Sequence, residues 1–170
     1  LLLFQISHAQ QALVFNRFTT TEGLNTNKIN CTWQDEKGFV WVGTENGLQR
    51  FDGRKFIQFT ILDPASRLPP AGVDEIFDAG NQKMWIRQGT TIGKYDRRNF
   101  TWHKAGIQSK APIKANAGYK LFTDSQGRCL LIIRNYGVLV YDSLRNTFTD
   151  QDLPIKTPPN WPIRNIYEDV

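Results

Sequence analysis

Cysteine is scarce in this chain. Only Cys31 and Cys129 occur in 170 residues, far apart and with no CxxC pair. That excludes a framework of several disulfides and a thiolate metal knuckle. One bridge in an oxidising compartment and two independent buried thiols both stay open. The two histidines are His8 and His103, and no nucleophile–base pair or metal-ligand spacing is visible. No catalytic residue, metal ligand or cofactor is therefore expected, and the segment does not read as an enzyme. No long apolar pattern of period 3.6 argues for a helix anywhere. No apolar run is long enough to span a bilayer as a helix. The net charge is +5, yet Lys and Arg form no run, so the charge reads as dispersed surface rather than a nucleic-acid patch.

What is present favours β structure. Twenty-one residues are Phe, Tyr or Trp, types that suit half-buried strands. The segment Asp35-Glu36-Lys37-Gly38 precedes Val40-Trp41-Val42, then Gly47-Leu48, then Phe51-Asp52. The pattern returns as Asp78, Met84-Trp85-Ile86, Thr91-Ile92 and Tyr95-Asp96. A third copy has Asp124, Gly127, Leu130-Leu131-Ile132, Gly137-Val138 and Tyr141-Asp142. "IRNIYED" begins a fourth, with Asp169 in the Asp35 place. The leading aspartates stand 43, 46 and 45 residues apart, and the aromatic-Asp pairs 44 and 46 apart. A strand-rich period of this length indicates propeller blades.

In the first copy four strands are expected at 28–34, 39–44, 47–51 and 55–60. "DEKG" reads as a tight turn with glycine at positive φ, and Asn46-Gly47 as a type I′ hairpin turn. Each copy is then a four-stranded antiparallel meander. Trp41 and Trp85 share a register that Leu130 takes in the third copy, which points to packing between blades rather than chemistry. Trp33 and Trp102 fall in first and fourth strands and read as packing too. The fold class is all-β, an incomplete ring of about three and a half blades. Residues 1–9 read as a signal-peptide remnant, with cleavage after Ala9. Residues 10–27 read as a leading strand and linker, 28–60 as blade 1, 72–104 as blade 2, 116–150 as blade 3, and 163–170 as the start of blade 4. The expectation is a truncated chain, the alternative being assembly with other copies.

The first copy resembles the two-component regulator propeller repeat. The residues that carry the likeness are Gly23-Leu24, Asn27, Ile29, Asp35, Gly38, Val40-Trp41-Val42-Gly43-Thr44, Gly47-Leu48 and Arg50-Phe51-Asp52. The later copies are degenerate, with Arg87-Gln88 in place of Gly43-Thr44. The resemblance implies a periplasmic sensor part of a Bacteroides-type hybrid two-component histidine kinase. It implies further blades and a downstream kinase in the same polypeptide, a homodimer, and an oligosaccharide ligand whose binding switches on polysaccharide-utilisation genes. Alternatives are a propeller scaffold for protein partners and a glycan-active propeller enzyme.

A ligand is expected on the rim made by the second-to-third-strand turns and the interblade loops. Candidate residues there are Arg87, Arg134, Asn135 and Tyr136, with Trp161 in a proline-rich loop as an exposed platform. Arg and Asn can hydrogen-bond sugar hydroxyls or a carboxylate, and an aromatic ring can stack on a sugar face. The repeat residues Asp35, Gly38, Trp41, Gly47, Asp52, Trp85, Asp96, Asp124, Gly127, Gly137 and Asp142 are read as structural.

Overall fold

The computed structural model describes residues 15–59, 68–114 and 117–151. Valine, isoleucine and aromatic residues between glycine-bearing turns form three sheets, each led by four consecutive antiparallel strands. The first sheet holds β1 (Ile29–Gln34), β2 (Val40–Thr44), β3 (Gly47–Phe51) and β4 (Phe56–Gln58). The second holds β5 (Glu75–Asp78), β6 (Lys83–Gln88), β7 (Thr91–Asp96) and β8 (Thr101–Lys104). The third holds β10 (Tyr119–Thr123), β11 (Cys129–Ile133), β12 (Gly137–Asp142) and β13 (Thr147–Thr149), with β9 (Gly106–Gln108) added beyond β13. The first strands, β1, β5 and β10, lie next to one another, so the sheets stack as blades do.

The inner strands show why a plain apolar run makes a strand here. All five residues of β11, Cys-Leu-Leu-Ile-Ile, are buried. A strand covered on both faces has no solvent side and needs no alternation. Between sheets one and two, Trp41, Leu48, Val73, Ile76, Met84, Ile86 and Tyr95 form one apolar cluster. Between sheets two and three, Trp85, Ile92, Leu121, Leu131, Leu139 and Phe148 form another. The indole of Trp41 meets Tyr95 edge-on at 6.3 Å, and that of Trp85 meets Tyr141 edge-on at 4.6 Å. Leu130, at the same register, is also buried. Burying an indole this fully is worth about 4–6 kcal/mol on an area basis, an upper figure because the unfolded chain already covers part of it.

Four local features differ from the sequence expectations. Gly47 takes positive φ (+111°) but Asn46 does not, so the turn is not type I′. Asn46 is held instead by its N–H to Thr44 Oγ1 (3.0 Å) and its side chain to the Asn25 carbonyl (3.2 Å). The second copy is displaced by one residue. The Asp35 N–H donates to the Phe39 carbonyl and the Asp124 N–H to the Arg128 carbonyl; in the second copy it is the Ala79 N–H that donates to Lys83. Ala79 therefore occupies the turn-entrance place, and Asp78 ends strand β5. Over 15–27 no strand forms. Thr19 and Glu22 make a reciprocal capping box around a 3-10 turn, Thr20–Glu22, and the Phe18 ring packs on Phe51 and Phe56. Finally, the linker 105–115 contributes β9, which pairs in parallel with β13.

The repeated aspartates fasten their turns to the backbone, as short acidic side chains do. Asp35 Oδ1 accepts from the N–H of Lys37 and Phe39 (both 3.0 Å), Asp124 Oδ1 from Gln126 (3.1 Å) and Arg128 (2.8 Å). Gly38 and Gly127 complete these turns at φ +83° and +74°, a conformation that costs side-chain-bearing residues. Asp52, Asp96 and Asp142 accept in the same way from Arg54, Arg98 and Leu144. The cysteines sit on different sheets, in β1 and β11, and both are free. Burial pushes the Cys31 thiol up to about 11 and the Cys129 thiol to about 12.

Candidate functional site

An antiparallel meander puts its second turn at one end and its first and third turns at the other. The β2–β3, β6–β7 and β11–β12 turns therefore share a rim with the segments that connect the sheets. The polar groups of sheet one on this rim are woven together. Thr44 Oγ1 donates to Asn25 Oδ1 (2.9 Å), Asn25 donates to the Asn46 carbonyl (3.3 Å), and Gln49 Nε2 donates to the Gly23 carbonyl (3.1 Å). Glu45 accepts from Thr26 Oγ1 (2.9 Å) and pairs with Lys28 (3.1 Å), contacts that lower its carboxyl, the Lys28 contact most. The sequence reading gave Asn46 a place in the turn but singled out neither Asn25 nor Glu45. The advance sign for Asn25 was the density of amide and hydroxyl residues over 25–28, just ahead of β1.

Arg87 stands on the rim of sheet two and is heavily engaged. Its Nε donates to Glu75 Oε2 (2.8 Å), and its Nη1 to Asp74 Oδ2 (3.1 Å) and the Gly89 carbonyl (3.0 Å). Glu75 Oε2 also accepts the N–H of Leu121 (3.0 Å), which ties this ion pair to sheet three. The side chain of Arg87 is only 14% exposed. Both carboxylate partners lie at least twelve residues upstream and become neighbours only through β5–β6 pairing.

Arg134, Asn135 and Tyr136 share the β11–β12 turn. The side chains of Arg134 and Asn135 are exposed, and Asn135 holds a left-handed conformation at φ +63°. Tyr136 is half-buried, and its hydroxyl donates to Asp150 Oδ2 (2.8 Å). Burial, then this hydrogen bond, raises the phenol. Burial acts to raise the Asp150 carboxyl, but the Lys110 N–H (2.9 Å) and the Tyr136 hydroxyl outweigh it and lower it. Among the described residues no hydrogen bond or ion pair joins Arg87 to this trio. The structure thus groups three of the candidates on one turn, leaves the side chains of two of them uncommitted among the described residues, and places Arg87 one sheet away in an internal brace. Trp161 lies outside the described residues. Trp33 and Trp102 are half-buried on β1 and β8, against the cluster between sheets one and two.

The opposite rim carries a feature that sequence reading missed. Beside the Trp41 indole, Asp35 Oδ2 accepts from Trp41 Nε1 (2.8 Å) and meets Arg97 Nη1 (3.2 Å), which also reaches Glu36 (2.8 Å). The Arg97 guanidinium stacks 5.1 Å from the Trp33 ring and its side chain is 6% exposed. This ion-paired plug seals the lower end of the junction between sheets one and two. Burial works to raise the Asp35 carboxyl, but the Trp41 N–H, the turn amides and Arg97 together hold it below the usual range.

No family model matches the chain. A 43-residue stretch, 25% of this chain and 3% of the other, is 44% identical to "Histidine kinase P4" of Formosa agariphila. Among solved structures, an extracellular domain assigned to the hybrid two-component system BT3049 of B. thetaiotaomicron superposes over 85% of this chain and 21% of its own, with TM-score 0.66 and 20% identity. The chain has the fold of such extracellular domains. Two structures of the BT4673 extracellular domain from the same organism, one assigned to a one-component and one to a hybrid two-component system, give TM-scores of 0.60 and 0.59 at 21% and 22% identity, over 79% of this chain. The chain spans about a fifth of these domains and a small fraction of the curated kinase.

Proposed function

We propose that the chain is part of the extracytoplasmic, periplasmic sensor region of a hybrid two-component histidine kinase. In this reading further blades of the same polypeptide close a propeller ring around the stacked sheets. The ring binds a glycan-derived oligosaccharide, and a homodimer passes the event to the kinase and so to polysaccharide-utilisation genes. The observation that carries the reading is the superposition of the stacked meanders on extracellular domains of two-component systems over most of the chain. The short stretch shared with a histidine kinase supports it. The uncommitted Arg134 and Asn135 on the connecting-loop rim supply donors of the kind that sugar hydroxyls and carboxylates accept from.

The test is calorimetric titration of the intact polypeptide with a panel of plant and host oligosaccharides, followed by the Arg134→Ala/Asn135→Ala double variant. The expected result is a binder in the panel whose affinity falls at least about tenfold in the variant, the cost of losing charge-assisted hydrogen bonds. Arg87→Ala is expected to lower stability first, because it strands Glu75 and Asp74. Unchanged affinity in the double variant discards the rim, and the absence of any glycan binder discards the ligand class.

A further inference from the structure

Strand pairing aligns the two sheet junctions residue by residue. Val40 and Cys129 open β2 and β11, Met84 is the second residue of β6, and the three face Gln34, Thr123 and Asp78 across the first pairing. In that register Trp85 corresponds to Trp41, and Lys94 to Arg50, each cation standing opposite its tryptophan. Tyr141 corresponds to Tyr95. The plug, however, is replaced by small residues. Ala79 stands for Asp35, Gly80 for Glu36, Ser143 for Arg97 and Cys129 for Met84. Where the first junction is sealed, the second opens into a cleft of about 490 Å³, a size that holds small molecules.

The cleft wall retains the indole donor that the plug satisfied at the first junction, with a lysine in the place of Arg50 beside it. There, a chain carboxylate accepts from the indole N–H of Trp41. At the second, position 79 offers a methyl group, and no described residue accepts a hydrogen bond from Trp85 Nε1. Lys94 extends its ammonium over Tyr141 (4.2 Å) and Trp85 (4.8 Å) and makes no ion pair among the described residues. Burial lowers its pKa, as expected for an ammonium drawn out of water without an anion. Arg128 on the far wall is already paired with Asp124. Asp78 accepts only from the Gly80 N–H (3.2 Å) and has no cation partner among the described residues. The hydroxyls of Thr123 and Ser143 complete the lining.

We infer that this cleft is a binding site for a small organic monocarboxylate that carries hydroxyl or ammonium donors. Its carboxylate takes the place that Asp35 fills at the first junction, accepting from Trp85 Nε1 and Lys94. Its donors turn toward Asp78, and its apolar edge lies against Tyr141. A dianion is disfavoured by Asp78, and a neutral sugar leaves the Lys94 charge unanswered. The site lies on the rim opposite Arg134 and does not depend on the sensor reading.

Calorimetry on the intact polypeptide with D-glucuronate and with L-serine as probes tests this, with D-glucose as the neutral control. Binding of glucuronate identifies a sugar acid as the source of the carboxylate, and binding of serine an amino acid; either supports the site. Lys94→Met is expected to weaken the bound probe by about tenfold or more. Ala79→Asp rebuilds the internal carboxylate and is expected to abolish binding while the chain stays folded by circular dichroism. Arg134→Ala is expected to leave this binding untouched, which separates its fate from that of the rim reading. No binding of either probe at millimolar concentration, or equal binding in the Lys94→Met and Ala79→Asp variants, overturns the inference.

Discussion

Replacing Asp35 with alanine removes four contacts at once. Its carboxylate accepts from the N–H of Lys37 and Phe39 at 3.0 Å and from Trp41 Nε1 at 2.8 Å, and it meets Arg97 Nη1 at 3.2 Å. The turn amides regain water. Trp41, 1% exposed, and Arg97 do not, so a buried indole donor and a buried guanidinium lose their acceptor. Stranding a buried neutral donor costs about 1–3 kcal/mol and breaking a buried ion pair about 3–5. Glu36 keeps hold of Arg97, so we expect a loss of about 3–4 kcal/mol rather than the sum of both. Urea unfolding followed by tryptophan fluorescence should show the midpoint falling by about 2 M at a slope of about 2 kcal/mol per molar. Arg97→Met removes the charge that Asp35 answers, so the double variant should lose less than the two singles together. The carboxyl is held below its usual range in the fold, so its contribution is present above pH about 4 and disappears as the pH falls further. The wild type should therefore lose its advantage over Asp35→Ala in that acid window. A loss under about 1 kcal/mol, or additive singles, would show that the plug does not hold the junction.

Other expectations follow from the same packing. Trp41→Ala should cost about 3–5 kcal/mol, read as a fall in melting temperature, while the exposed Leu144→Ala should stay within about 0.5. Gly93→Ala drives a methyl into the His103 carbonyl and to 2.8 Å from the Trp102 ring, so β7 and β8 must part; a loss of about 1–3 kcal/mol in the same urea assay is expected. With thiols pushed to about 11 and about 12, Cys31 and Cys129 should react with a disulfide reagent at pH 8 only slowly, Cys129 the slower, until denaturant is added.

The strands were legible because each copy concentrates β-branched and aromatic residues between turn residues, and β3 begins and ends where that pattern does. The register of the second turn was not. Asp78-Ala79-Gly80 offers an aspartate one residue too early, and only the Ala79–Lys83 hydrogen bond shows which residue enters the turn. Strand β9 was hidden because Gly-Ile-Gln is too short to display alternation. Arg87 looked available because its partners, Asp74 and Glu75, carry no local pairing signal to it. The cleft beside Lys94 was unreadable for a deeper reason. It arises from what four positions on two sheets do not fill, and spacing along one chain does not show that.

Strand β9 gives the junction between sheets two and three a mechanical character of its own. The polypeptide leaving sheet two is stitched by main-chain ladder bonds to the outer edge of sheet three, so those two sheets cannot rotate apart without tearing peptide hydrogen bonds. Among the described residues, sheets one and two meet through side chains, the Asp35–Arg97 latch and a few loop contacts to Thr44 and Asn30. A torque that turns sheet two against sheet three has to break the β9–β13 ladder as a unit, and hydrogen exchange should find the amides of these two strands opening together.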